Sequence, residues 1–216
     1  MPPALRRDHQ LRCIAQTQES QAMSIPVQRL DGRARAALLA HFLALPSDDR
    51  RLRFGSPLST ELITQYVDRI DFDQDAAFGV HDDTLRLVGV AHLAFLGDHA
   101  ELGLSVLPGH RGRGVGSALF ERGAANARNR SVPQLFMHCL NENAAVVHIA
   151  RKFGMRIVAE AGEADAHLEL PPASPGSIAS EFVTDRFALY DYTLKSHVAT
   201  WKGINTALSG GSRPGG

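Results

Sequence analysis

The sequence predicts an α/β domain: a mixed, twisted sheet of about six to seven strands flanked by helices, with an extra helical region after it. Three observations carry this. Apolar segments of strand length, separated by Asp-Asp and Gly-Asp turns, follow one another between residues 76 and 107. A glycine-rich loop and a helical stretch then separate two further strand segments, an order that implies a crossover and parallel pairing. Helical spacing of apolar residues returns beyond Pro171-Pro172.

Each element follows from its local pattern. Residues 1–22 mix Pro, Gln, Arg and Ser without apolar periodicity and are expected to be a disordered leader. The domain proper covers 23–171. It opens with a short strand over 25–30 and a helix over 32–45, with Leu38, Leu39, Phe42 and Leu45 on one face. Ser47 is expected to cap a helical turn through Arg53. Ser59 and Thr60 cap the next helix, in which Leu62, Ile63, Tyr66, Val67 and Ile70 recur at helical spacing. Strands over 76–81, 85–95 and 99–107, joined by tight polar turns, predict an antiparallel meander. A helix over 115–130, a strand over 135–140, a helix over 143–153 and weaker strands near 156–160 and 166–170 complete the domain. Residues 172–208 form one or two helices with Phe182, Phe187, Leu189, Tyr190 and Leu194 as apolar positions, and 209–216 a disordered tail.

Composition narrows the function classes. The 216 residues suffice for one domain with a real core. Acidic and basic residues balance at 23 each, so no global field favours nucleic acid or an anionic membrane. Two distant cysteines, Cys13 and Cys139, do not make a disulfide framework, and a reduced, cytoplasmic protein is expected. No apolar run has membrane-spanning length, and no cluster has metal-ligand spacing.

The chemistry concentrates in residues 101–120. Pro108 ends a strand because it has no N–H to donate. Gly112, Gly114 and Gly116 then alternate with Arg113 and Val115 directly before a helix, with Ser117 in its first turn. Unpaired amides at a helix start, next to glycines that admit close approach, make a socket for a phosphate or pyrophosphate, with a tight strand-to-helix turn as the structural alternative. Arg111 and Arg113 add positive charge nearby. The loop lacks the Gly-Lys-Ser/Thr of a P-loop and the glycine spacing of a dinucleotide fold.

Arg111-Gly112-Arg113-Gly114-Val115-Gly116 resembles the Gln/Arg-x-x-Gly-x-Gly/Ala signature of the GNAT superfamily of acyl-CoA N-acyltransferases. Asn143 through Met155, placed after the next strand, is similar to that family's second signature, Asn-x-x-Ala-x-x-Leu-Tyr-x-Lys-x-Gly-Phe. The resemblance spans about residues 25–170. It implies a GNAT fold and transfer of an acetyl group from acetyl-CoA, as co-substrate, to an amine acceptor in a ternary complex, without metal. By the same resemblance Leu104, Ser105 and Val106 offer backbone groups to the acyl carbonyl and pantetheine arm. The amides from Gly112 to Ser117 cradle the pyrophosphate, and Asn143 meets the pantetheine region.

Two residues are candidates for moving the amine's proton. Glu101 lies where some members carry a catalytic glutamate, and alternation puts it on one strand face with Gly103 and Ser105. His138, inside the apolar strand over 135–140, titrates near neutrality. An exposed strand carboxylate and a hydrogen-bonded core histidine are the respective structural alternatives. The tyrosine that usually protonates the departing thiolate is replaced by Ala150, which cannot donate a proton; His148, Tyr190, Tyr192 or water are the substitutes available. The charged run from Asp48 to Phe54 falls where this fold builds its acceptor wall, with a solvated helix end as the alternative. A non-catalytic acyl-CoA-binding module and an interaction protein, including a homodimer through the C-terminal helices, remain as rival classes.

Overall fold

A computed structural model describes residues 25–160 and 162–210 of the chain. The expected leader, with Cys13, and residues 211–216 lie outside the described residues. A seven-stranded sheet has the order β1-β2-β3-β4-β5-β7-β6, where β1 is Gln28–Leu30, β2 Ala76–His81, β3 Leu87–Leu96, β4 His99–Val106, β5 Gln134–Leu140, β6 Arg156–Glu160 and β7 Glu163–Glu169. All neighbours are antiparallel except β4 and β5, the two strands joined by the predicted crossover. The helices are α1 (Arg35–Leu43), α2 (Ser47–Phe54), α3 (Thr60–Arg69), α4 (Val115–Asn129), α5 (Ala144–Lys152) and α6 (Pro175–Gly210).

Local chemistry explains several boundaries and corrects others. Ser59 caps α3 by accepting from the Leu62 amide at 3.3 Å, as its residue type requires. Ser47 is instead the first helical residue of α2, whose N-cap is Pro46. The first expected helix splits into a 3-10 turn at Gly32–Ala34 and α1 proper. The C-terminal region is a single helix. It continues through Ser209 and Gly210, where the sequence pattern placed the start of the tail. Its first turn is fixed reciprocally: the Ser174 amide donates to Ser177 Oγ and the Ser177 amide to Ser174 Oγ.

Two helical layers cover the sheet. Successive residues of β4 point to opposite faces, so Leu102 packs against α4 while Gly103 and Ser105 face α1 and α2. Phe42, Phe78 and Phe120 are fully buried, and each such ring contributes about 1.5–3 kcal/mol by leaving water. On the α1–α3 face Phe42, Phe54 and Tyr66 meet edge to face, with centroids 5.1–5.7 Å apart. On the other face Phe120 of α4 stacks on Phe153 at 4.4 Å. α6 is attached to α4 through polar contacts. The buried Arg122 guanidinium, lying over the Phe78 ring, donates to Glu181 and Asp185, while Asn126 and Asn129 also donate to Glu181.

Candidate active site

β4 and β5 pair only from His99 to Glu101 against Gln134 to Phe136. Beyond that point they separate, leaving the β5-side edge of β4 from Leu102 to Val106 without a strand partner. A cleft of about 730 Å³ opens there. Leu104, Ser105 and Val106 line it, together with the glycine loop, the N-terminal turn of α4, α5 and the cleft-facing residues of α2.

The loop builds the mouth of this cleft. Gly112 (φ 70°) and Gly114 (φ 85°) occupy left-handed backbone that side chains with a β-carbon disfavour. Gly114 is the N-cap of α4 and supplies no side-chain cap. Consequently, among the described residues, none of the amides from Gly112 to Ser117 donates to a protein acceptor; the first bond of the helix runs from Ala118 to the Gly114 carbonyl. Six consecutive free donors at the positive end of a fifteen-residue helix form a strong receptor for anions.

Arg111 lines the cleft beside the loop, as expected of a charge near the socket. Its guanidinium is already engaged, with Nε donating to the Val106 carbonyl at 3.0 Å and Nη2 paired with Asp49 at 2.6 Å. Arg113 is exposed and outside the cleft wall. The cation beside the socket is Lys152, whose Nζ donates to Ser117 Oγ at 2.9 Å. Sequence reasoning gave Lys152 no role, although it stands at the lysine position of the second signature. Asn143 does line the cleft, but its side chain is used internally. Oδ1 caps α5 at Val146, and Nδ2 donates to the Leu52 carbonyl at 3.2 Å.

These bonds make α2 a bridge across the open strands. Asp49 holds Arg111 on the β4 side, whereas Arg51 pairs with Glu142 at 2.6 Å on the β5 side. Between them Arg53 lies over Gly103 of β4, where a β-carbon would collide with the guanidinium. Arg53 Nη2 donates to Tyr66 Oη at 3.0 Å, Tyr66 Oη to His92 Nδ1 at 2.8 Å, and His92 Nε2 to Asp75 at 3.1 Å. Burial first, then the Arg53 charge, lowers the His92 pKa and favours the neutral tautomer this chain of bonds requires.

Ser105 is held in a similar way. His41, buried in α1, has its pKa lowered to about 4, chiefly by burial, so its imidazole is neutral at physiological pH. Nδ1 then donates to the Leu87 carbonyl at 3.0 Å, and Nε2 accepts the Ser105 hydroxyl at 2.8 Å. None of His41, Tyr66 and His92 was singled out as a site residue from the sequence. Each is recruited by a contact distant along the chain.

Glu101 and His138 come together in a second hollow of about 390 Å³ with His99, Phe136, Asp165 and His167. Glu101 is exposed on the same face as Gly103 and Ser105. His138 is no core residue. It is exposed and bonded through Nδ1 to Asp165 at 2.7 Å. That hydrogen bond is the main cause raising its pKa, and the Glu163 and Glu101 charges add to it. Ala150 is buried, as an apolar stripe requires. His148 lines the main cleft; Tyr190 and Tyr192 do not, and Tyr192 instead packs edge-on against His81. Among the described residues no group of His, Cys, Asp and Glu is placed to hold a metal ion, and no helix is long and apolar enough to cross a membrane.

A mixed sheet that opens between two parallel strands, with a free-amide socket at the opening, is the architecture expected of acyl-CoA-dependent acyltransferases. The model of the "Acetyltransferase (GNAT) family" matches residues 43–155, more than half of the chain, and the protein belongs to this family of transferases. Streptothricin acetyltransferase of Streptomyces lavendulae is 32% identical over 78 residues, which cover 36% of this chain and 41% of that protein. The chain thus matches well under half the length of this relative. The GNAT domain of S. lividans PAT shares the fold with a TM-score of 0.59 at 21% identity, over 67% of this chain and 89% of that one. The structure of yncA from Salmonella typhimurium with its cofactor acetyl-CoA gives a TM-score of 0.53 at 16% identity, over 68% of this chain and 95% of that one.

Proposed function

We propose that the protein transfers an acetyl group from acetyl-CoA to the amine of an acceptor, by direct attack within a ternary complex in the cytoplasm. The observation that supports this most is the run of free amides from Gly112 to Ser117 beside the unpaired edge of β4. The pyrophosphate sits on those amides, with Lys152 as counter-charge. The pantetheine amides extend the sheet along Leu104 to Val106, as a peptide does when it adds to a strand edge. The thioester then lies where β4 and β5 part. The amine nitrogen attacks its carbonyl carbon, the C–S bond breaks, and the amine proton passes to Glu101.

Glu101 is assigned as the base rather than His138. With its pKa raised by Asp165, His138 is charged over a wider range of pH and accepts a proton less readily near neutrality. Because Ala150 replaces the usual tyrosine, the coenzyme A thiolate leaves without a side-chain acid from that position and takes its proton from water.

The test is a thiol-release assay over a panel of amines and peptides, with acetyl-CoA-induced thermal stabilisation measured in parallel. Glu101→Gln is expected to lower kcat/KM by about 100-fold while acetyl-CoA still stabilises the protein, and His138→Gln to lower it by less than about tenfold. Full activity in Glu101→Gln removes that residue as base. Stabilisation by acetyl-CoA without thiol release for any acceptor replaces the enzyme with a non-catalytic acyl-CoA-binding module.

A further inference from the structure

Arg53 is a preorganised cation that no carboxylate of the described residues contacts. Its guanidinium is half-buried in the cleft wall, placed over Gly103 and surrounded by the rings of Phe54, Tyr66 and Phe42, with its Cζ 4.9–5.8 Å from their centroids. One N–H bonds to Tyr66, and no carboxylate pairs with it, although its α2 neighbour Arg51 and the loop Arg111 each have one. Tyr66 is anchored in turn through His92 to Asp75, so the fork is held in place before any ligand arrives. A guanidinium removed from water without a counter-ion is costly, and its planar donors match a carboxylate bidentately.

We propose that Arg53 binds a carboxylate of the acceptor, so that the substrates are small amines that also carry a carboxylate, such as amino acids. This rests on the acetyl-transfer reading and deepens it at the acceptor side. Arg53 and Glu101 lie on the same face of the sheet, one over Gly103 and the other two residues along β4. The acceptor therefore meets a cation at the cleft wall and an anion beside it, a polarity complementary to a molecule with one acidic and one amino group. Gly103 is part of the device, since only a residue without a β-carbon lets the guanidinium rest on the strand.

The experiment compares matched acceptors, each amino acid against its carboxamide, in the thiol-release assay with wild type, Arg53→Lys, Arg53→Met and Gly103→Ala. Gly103→Ala displaces the fork without removing its charge. Wild type is expected to prefer the carboxylate by at least about tenfold in kcat/KM. Arg53→Met and Gly103→Ala are expected to lose that preference with the KM for acetyl-CoA unchanged, and Arg53→Lys to keep part of it. Equal use of both acceptors by wild type, or an intact preference in Arg53→Met, overturns the proposal. A raised KM for acetyl-CoA in Arg53→Met does so too, because it assigns the arginine to the coenzyme. If no amine is acetylated, it is the transfer reading that fails. The Arg53 claim is then decided by binding: stabilisation of wild type, and not of Arg53→Met, by the carboxylate compound supports it, and its absence in wild type overturns it.

Discussion

His41 shows how a single buried side chain ties the site to the pH of the medium. Its folded pKa of about 4 lies below the 6.5 of a free imidazole, because burial penalises the charged form. The unfolded chain therefore binds a proton that the folded protein refuses. The corresponding stability is fully present above pH 6.5 and is lost as the pH falls through 4. Melting temperatures between pH 7.5 and 4 are expected to fall more steeply for wild type than for His41→Gln, which takes up no proton. Parallel curves contradict this role. The residues of the glycine loop were legible in the sequence because a strand stop, alternating glycines and a helix start are local signals. Arg53 was legible only as one member of the charged run from Asp48 to Phe54, and Tyr66 and His41 not at all, since their partners lie 13 to 64 residues away and only the fold brings them together. Arg111 illustrates the converse. Its type and place suggest a charge beside the phosphates, and what the sequence does not disclose is its ion pair with Asp49 on a different element.

At the level of elements, α6 is the part most dependent on a few polar contacts. Arg122 is buried, and Glu181 and Asp185 both accept from it. Removing one member of a buried ion pair leaves the others uncompensated, so Arg122→Ala is expected to cost about 3–5 kcal/mol in urea unfolding. A loss below about 1 kcal/mol contradicts this anchoring, being the range of an exposed pair. Burial pushes the Glu181 carboxyl up, but bonds from Asn126, Asn129 and Arg122 outweigh it and hold the pKa below the ordinary value. Its contribution is thus present above the unfolded pKa and lost as the pH falls through the folded one. The sequence revealed that a helix follows Pro171-Pro172, because the apolar spacing is local. It did not reveal what the helix rests on, because no local signal sets Glu181 and Asp185 apart from exposed acids. The order from β2 to β5 was more accessible, since short polar turns force neighbouring antiparallel strands and the α4 crossover forces the parallel pair, whereas the insertion of β7 between β5 and β6 has no such local signal.

Across the whole molecule, the departure of β4 from β5 creates the cleft, α4 points its free amides into the opening, and α2 spans it through Asp49 and Arg51. In the proposed reaction the donor side rests on backbone geometry, which a glycine pattern signals in the sequence. The proposed acceptor side rests on side chains from α1, α2, α3, β3 and β4 converging on one face, which periodicity cannot disclose. The most direct test is calorimetric titration with acetyl-CoA and with S-acetylpantetheine, which lacks the pyrophosphate, for wild type and Gly114→Val. Wild type is expected to bind acetyl-CoA at least about 100-fold more tightly than the truncated thioester, a difference near 2.7 kcal/mol, and Gly114→Val to lose that advantage. Equal affinity for the two thioesters, or an undiminished advantage in folded Gly114→Val, contradicts the assignment of the Gly112–Ser117 amides to the pyrophosphate.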